Sequence, residues 1–226
     1  IMKMPAVALR GMVILPGMVA HFDVSRAKSI KAVEEAMMDE QKIFLVAQKD
    51  VEQENPDIED LFKIGIIAEV KQVIKLQNNI VRILVEGKER AELSAFLENP
   101  DYLLAEIIRF DEEVDDGLPE EAKEAMLRSI QETFGKYVVV NPKMGKELQR
   151  QLSEMMNQLA NSLPVHFEEK QKILDAVSMT ERYEVLMALL LKEIEIIAIK
   201  NDFQAKVKAH VEKNQKEYLL REQMKV

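Results

Sequence analysis

SMTERYEVLMALLLKEIEIIAIKNDFQAKVKAHVEKNQKEYLLREQMKV, residues 178–226, contains neither Gly nor Pro. It opens on a capping box, in which the Ser178 hydroxyl and the Glu181 carboxylate can each satisfy a free backbone N–H at a helix start. The run therefore predicts one helix of about 48 residues, roughly 70 Å long. Leu186, Leu189, Leu190, Ile194 and Ile197 make its first part apolar on most sides, as in a bundle core. Beyond them the stripe narrows to Phe203, Val207, Val211 and Tyr218, so the helix should leave the bundle and meet one partner at most. Its last residues, NQKEYLLREQMKV (214–226), carry no stop signal, so the helix reads either as a free-standing arm or as a segment cut from something longer.

Working outward from this helix, residues 120–177 also read as helical. LPEEAKEAMLRSIQETFGKY (118–137) sets Leu127, Ile130 and Phe134 on one face. Asn141-Pro142 has the cap and first-position signature of a second helix, striped by Met144, Leu148, Leu152, Met155 and Leu159. FEEKQKILDAV (167–177) gives a short third helix after Pro164. DEEVDDGLPEE (111–121) is acidic and broken by Gly and Pro, and marks the domain boundary as a solvated linker over 111–119.

Before that boundary the pattern changes to strands. PAVALRGMVILPG and VAHFDV are rich in β-branched residues and punctuated by Gly11, Pro16 and Gly17. Ser25 is a candidate cap for an amphipathic helix over about 26–39, followed by the buried strand KIFLVAQ. KIGIIAEVKQVIKL alternates, with a phase shift after Lys71, and Gln77-Asn78-Asn79 supplies a turn because Asn tolerates positive φ. IVRILVEG, RAELSAFL and YLLAEIIRF complete about six strands. The fold class is α+β: a β-rich lobe over 1–110, curled or partly closed, then a helical bundle over 120–177 and the long helix over 178–226.

Composition narrows the functional classes. The chain has no Cys, which excludes disulfides, thiolate metal sites and a cysteine nucleophile. No apolar run approaches the roughly 20 residues that span a bilayer, so no membrane partner is expected. The N-terminus lacks the layout of a secretory signal. A net charge of −9 opposes broad phosphate binding. Residues 200–226 differ, with seven Lys or Arg against four acids, but that excess is too small for an ordinary nucleic-acid surface.

Chemistry is hard to find. No G-x-x-x-x-G-K-[ST] loop, H-E-x-x-H pair or G-x-S-x-G elbow occurs, and His21, His166 and His210 lie in separate elements. The expectation is no catalytic residue, no metal ligand and no cofactor site. One binding feature stands out in MVILPGMVAHF (12–22), where Pro16 and Gly17 force a turn amid apolar side chains. Leu15, Pro16, Met18, Val19 and Phe22 form a candidate exposed patch, adaptable because Met repacks against varied surfaces. The more ordinary reading of the same residues is core or inter-strand packing.

Several segments, in order, resemble the amino-terminal region of the Lon family of ATP-dependent proteases. PAVALRGMVILPGMVAHFDVSRAKSIKAVEEAM (5–37) is similar to its opening block, with a Pro-Gly turn and an Arg-x-x-Ser-Ile helix start. FKIGIIAEVKQVIKLQNNIVRILVEGKERAEL (62–93) resembles its hairpin, although Gln77-Asn78-Asn79 replaces the frequent Pro-Asp-Gly, and Ile66 and Ser25 stand where Thr and Gly are usual. EKQKILDAVSMTERYEVLMALLLKEIEII (169–197) and NQKEYLLREQMK (214–225) resemble the segment leading to the ATPase. The resemblance implies a lobe related to PUA-like pseudo-barrels and a long helix running toward an ATPase ring that lies outside this chain. It implies a cytoplasmic homohexameric parent using ATP and Mg, with a Ser-Lys dyad in that missing part. This region would bind unfolded, damaged or degron-bearing proteins, with Phe203, Val207, Val211 and Tyr218 packing between neighbouring long helices. On its own it would be a monomer or weak oligomer. The alternative is a purely structural oligomerisation module.

Overall fold

The computed structural model describes residues 1–110, 117–143 and 148–225. The chain runs β1 (Met2–Leu9), β2 (Val19–Val24), α1 (Ala27–Met38), β3 (Lys42–Ala47), β4 (Ile64–Lys75), β5 (Val81–Leu97) and β6 (Leu103–Arg109). Four helices follow: α2 (Glu120–Val140), α3 (Leu152–Ser162), α4 (Phe167–Asp175) and α5 (Met179–Met224). The expected linker falls largely on 111–116, outside the described residues.

The six strands form one sheet in the order β2-β5-β4-β3-β1-β6, and β6 pairs back onto β5. That closure depends on the length of β5. Its first part, Val81–Glu86, pairs with β2, and its last part, Ala91–Leu97, pairs with β6. From sequence this segment reads as two strands, IVRILVEG and RAELSAFL. Gly87 instead lies inside one continuous strand, where a Cβ would collide with the Leu15 carbonyl. The close crossing needs glycine, and the strand does not stop there.

Other local signals landed where expected. The phase shift after Lys71 is a register irregularity between Val70 and Gln72. Asn78 and Asn79 take φ of 63° and 58°, turning β4 into β5.

Alternation sends the two faces of these strands into two cores. Met4, Ala6, Ala8, Phe44, Val46, Ile67, Ala91, Leu93, Ala105 and Ile107 form one with Leu61. The opposite faces, including Val7, Ile43, Leu45, Ala68, Ile83 and Val85, join Ala32, Val33 and Ala36 of α1 and the bundle residues in the other. Helix α1 buries Ser29, Ala32, Val33 and Ala36, whereas Met37 lies on its exposed side. Small residues win that face because α1 lies close against β1 and β3. Its N-cap is Arg26, not Ser25, and no side chain caps it.

In the bundle, α2 buries Leu127, Ile130, Phe134 and Tyr137 and continues to Val140. Asn141 therefore closes α2, its N–H donating to the Tyr137 carbonyl at 2.9 Å, and does not start the next helix. That helix, α3, starts at Leu152, and Leu148 is exposed. Met144 lies outside the described residues. The Asn-Pro signature was outweighed by the apolar burial that carried α2 to its end.

Buried polar ties lock lobe to bundle. Arg90 of β5 donates from Nε to the Leu174 carbonyl at 3.0 Å and from Nη2 to the Ile173 carbonyl at 3.3 Å. Arg182 of α5 donates to the Ala176 and Val177 carbonyls at 3.1 and 2.8 Å. Two cations thus occupy the negative end of α4, where the helix dipole favours them. Burial, then the neighbouring Arg182 charge, pushes Arg90 down to about 9, which leaves it protonated at neutral pH. Gln171, buried in α4, donates to the Ile64 carbonyl at 2.9 Å.

Helix α5 starts at the expected place, with the Ser178 hydroxyl accepting from the Glu181 N–H at 3.1 Å. The reciprocal bond of the expected capping box, to the Glu181 carboxylate, is not formed among the described residues. Its 46 residues span about 69 Å. Met179, Leu186, Leu189 and Leu190 are buried, with Ile194 and Ile197 packed against the same core. Asn201 donates to the Val140 carbonyl at 3.1 Å. Past it every described residue of the helix is exposed.

Candidate functional site

The residues nominated from sequence as a binding patch lie in the loop between β1 and β2 and in β2 itself. β1 stops at Leu9, and Gly11 turns the chain with φ 63°. Leu15 to Met18 then form a four-residue turn, closed by the Met18 N–H donating to the Leu15 carbonyl at 3.0 Å. Pro16 and Gly17 fill its central positions, and the φ of 77° at Gly17 is what a type II turn demands there. Gly87 fastens the turn to the sheet: Gly17 N–H donates to the Gly87 carbonyl at 2.9 Å and Gly87 N–H to the Met18 carbonyl at 2.8 Å. On the bundle side, Asn161 of α3 donates to the Pro16 carbonyl at 3.4 Å.

This geometry separates the five nominated residues. Leu15 is 1% exposed, so it anchors the turn and offers nothing to a partner, contrary to its placement in an exposed patch. Its burial follows from the turn itself, which folds the Leu15 carbonyl over Gly87 and drives the side chain inward with Val13 and Ile14. Pro16 and Met18 are half-buried, and Val19 is 60% exposed. Phe22 is half-buried against the core. The structure therefore brings Pro16, Met18 and Val19 together at the surface on a rigid turn, with Met12 and Phe22 in the partly buried layer packed on the core.

Charges border the apolar residues. Val19 lies opposite Glu86 across the β2–β5 pair. Glu86 belongs to a four-residue network with Lys71 at 3.2 Å and Lys88 at 3.0 Å, both of which also reach Glu69. Its carboxyl is held below the usual range, mainly by the Lys88 and Lys71 hydrogen bonds. Asp23 and Arg82 pair through two bonds of 2.8 and 3.2 Å. That contact lowers Asp23 and raises Arg82. These groups are exposed, so they shape a polar rim more than they stabilise the fold.

The second nominated set lies far along α5. Phe203, Val207, Val211 and Tyr218 are 61%, 62%, 46% and 64% exposed. They lie past Asn201, where every described residue of the helix is exposed. Lys206 reaches Asp202 at 3.0 Å and lies 5.8 Å from the centre of the Phe203 ring.

Among the described residues no group of His, Asp and Glu could hold a metal ion, and no helix is long and apolar enough to cross a membrane. His21, His166 and His210 are all exposed. Sequence reasoning missed Asn161 and Gly87. Gly87 carried a usable signal, a glycine inside an alternating strand, which often marks close approach of another backbone. Asn161 carried none, since it reaches the turn only through the tertiary fold.

The class so defined is an α+β protein with a β-rich pseudo-barrel, a helical bundle and a protruding helix. Residues 3–192 match the family model described as the ATP-dependent protease La (LON) substrate-binding domain, and the chain belongs to that family. It is similar to the Lon protease of Lachnoclostridium phytofermentans, with 44% identity over 99% of this chain and 28% of that protein. It is likewise similar to the Lon protease of Brevibacillus choshinensis, 38% identical over 99% of this chain and 29% of that one. The chain thus spans under a third of these relatives' length. In fold it is similar to the N-terminal domain of a Mycobacterium avium complex Lon protease, at TM-score 0.64 and 17% identity, covering 84% of this chain and 98% of that one. A Lon N-terminal domain protein from Xanthomonas campestris gives TM-score 0.59 at 15% identity, covering 83% and 98%.

Proposed function

We propose that this chain captures unfolded or degron-bearing polypeptide and delivers it to the ATPase ring of a longer protease. The observation that carries this reading is the membership of a family described by substrate binding, in a chain that exposes Pro16, Met18 and Val19 on a fastened turn. A rigid turn presents these side chains with little ordering to be lost on binding, and Met18 adapts to different apolar partners. Each contact is weak, and six copies in one ring would raise the effective affinity. ATP, Mg and the Ser-Lys chemistry belong to the part of such a protein outside this chain.

The test mixes the chain with a permanently unfolded protein and with its folded parent. Binding is expected only to the unfolded form. Val19→Asp and Met18→Asp, one exposed and one half-buried, should weaken it about tenfold or more while the circular dichroism spectrum is unchanged. Equal binding by wild type and both variants would sink the assignment to this turn.

A second reading is favoured by a separate observation, the exposed stripe Phe203, Val207, Val211 and Tyr218. In it the chain is chiefly an oligomerisation module, and the long helix sets ring geometry by packing on a neighbouring copy. Native mass spectrometry separates the two: self-association abolished by Val207→Asp with Val211→Asp, without preference for unfolded chains, supports only the second.

A further inference from the structure

A second polar feature lies beside the turn, at the start of α1. The first backbone bond of this helix runs from the Ile30 N–H to the Arg26 carbonyl, at 3.0 Å, so the N–H groups of Ala27, Lys28 and Ser29 precede the helical ladder. No side chain caps them and no acid occupies the first turn. Ser29 is 6% exposed, and its hydroxyl has no hydrogen-bond partner among the described residues. It lines two hollows, and Arg26 lines both of them as well.

The smaller hollow, about 220 Å³, is the selective one. Arg10 and Arg26 both line it, and neither forms an ion pair among the described residues. Arg26 is held in place by the buried Gln48, whose Oε1 accepts from Nη2 at 2.6 Å, and by the Gln53 carbonyl at 3.1 Å. Both bonds use Nη2, so Nε and Nη1 have no acceptor among the described residues. Burial lowers Arg26 first, and the Arg10 charge lowers it further, which puts the two cations within electrostatic reach, while Glu54 opposes them. Asp23 is the one acid in the lining, and its carboxylate is already engaged by Arg82. Met12, Phe22 and Val24 supply apolar wall. The larger hollow, about 790 Å³, has Glu54, Asp57 and Glu59 in its wall and suits an anion poorly.

We propose that the smaller hollow binds the C-terminal α-carboxylate of a polypeptide whose last side chain is apolar. The Arg10 and Arg26 guanidinium groups and the buried Ser29 hydroxyl, all in its lining, are donors suited to a carboxylate. The apolar wall takes the terminal side chain. A phosphate would find the same donors but would leave Met12 and Phe22 facing a polar group, which disfavours it. This inference rests on the polypeptide-binding reading and extends it, because Phe22 belongs to both the turn region and the hollow.

The test uses the whole 226-residue chain and fluorescence anisotropy. The probe is a short labelled peptide ending in Ala-Leu, prepared as free acid and as C-terminal amide. The free acid should bind about tenfold tighter, the effect of losing a charge-assisted contact. Arg10→Glu, at an exposed position, should remove that difference, and Ser29→Asp should do the same by introducing a carboxylate where one is meant to bind. Equal affinity of acid and amide overturns the inference. So does displacement of the acid by low millimolar inorganic phosphate, which would make this an unselective anion site. An unfolded protein with an amidated C-terminus keeps the two readings apart. If it binds while acid and amide peptides are equal, only the terminus reading fails; if neither it nor the peptides bind, capture itself fails.

Discussion

The two halves of α5 have the same helix-forming composition and share one backbone, yet they live in different surroundings. Up to Ile197 the helix is part of a bundle core; beyond Asn201 it is bare. The difference lies in the width of the apolar stripe. Leu186, Leu189 and Leu190, flanked by Ile194 and Ile197, cover enough of the circumference to be held by α2, α3 and α4 together. Phe203, Val207, Val211 and Tyr218 mark a single line. Helix alone therefore does not amount to stability: the first half is held by burial, the second by its connection to the first and by local pairs such as Lys206–Asp202.

The contrast can be broken most sharply by core substitution. Leu186→Ala, at a fully buried site, should cost about 3 kcal/mol in urea unfolding, and Val207→Ala in the bare half should cost less than about 0.5 kcal/mol. Equal costs would mean that the distal half folds against something within a single copy. A clash tests the other rigid element: Gly87→Ala, which drives a Cβ into the Leu15 carbonyl, should cost about 2 kcal/mol by the same measurement and loosen the Pro16 turn.

Removing the clasp at the end of α4 comes next. Arg90→Ala leaves the Ile173 and Leu174 carbonyls without their donor and should lower stability by about 2 kcal/mol. Ser178→Ala should cost about 1 kcal/mol, because the cap it removes starts the half of α5 that the core needs. Hydrogen exchange should show amides 203–224 exchanging far faster than 186–197 in the wild type.

The smallest effect is expected at the rim. Arg82 lowers the folded-state value of Asp23 below its ordinary 3.8. The pair therefore contributes above that unfolded value, and the contribution is lost as pH falls through the lowered folded one. Because both side chains are exposed, Arg82→Met should lower stability only slightly at neutral pH, and its difference from wild type should vanish as pH falls through the lowered folded-state value.

Much of this architecture was legible in the sequence where a signal was local. The Ser178 cap, the paired Asn residues of the hairpin and the phase shift after Lys71 each depend on neighbours in the chain, and each stands as read. Readings failed where distant partners decided. Asn141-Pro142 looked like a helix start, but α2 had apolar contacts enough to run on to Val140. IVRILVEG and RAELSAFL read as two strands, but β5 runs through both, and a turn from about seventy residues earlier crosses it at Gly87. Ser25 looked like a cap, but the backbone enters α1 one residue later, at Arg26.

The Pro16-Gly17 turn shows the same division. Its type was written in Pro16-Gly17, since the ring of one fixes φ and only a residue such as the other accepts 77°. Which of its side chains face outward was not written there. Leu15, Met18 and Val19 are all apolar, and no local rule ranks their exposure. Sequence by itself determined the strand-rich lobe, the helical second half, the long capped helix and the place of the turn, because propensity, capping and periodicity act over a few residues. Tertiary structure alone decided that β5 closes the sheet, that Leu15 is buried and Val19 exposed, and that Arg10, Arg26 and Ser29 meet at one hollow. Those outcomes depend on which surfaces exclude water together, and that is settled only when the whole chain is packed.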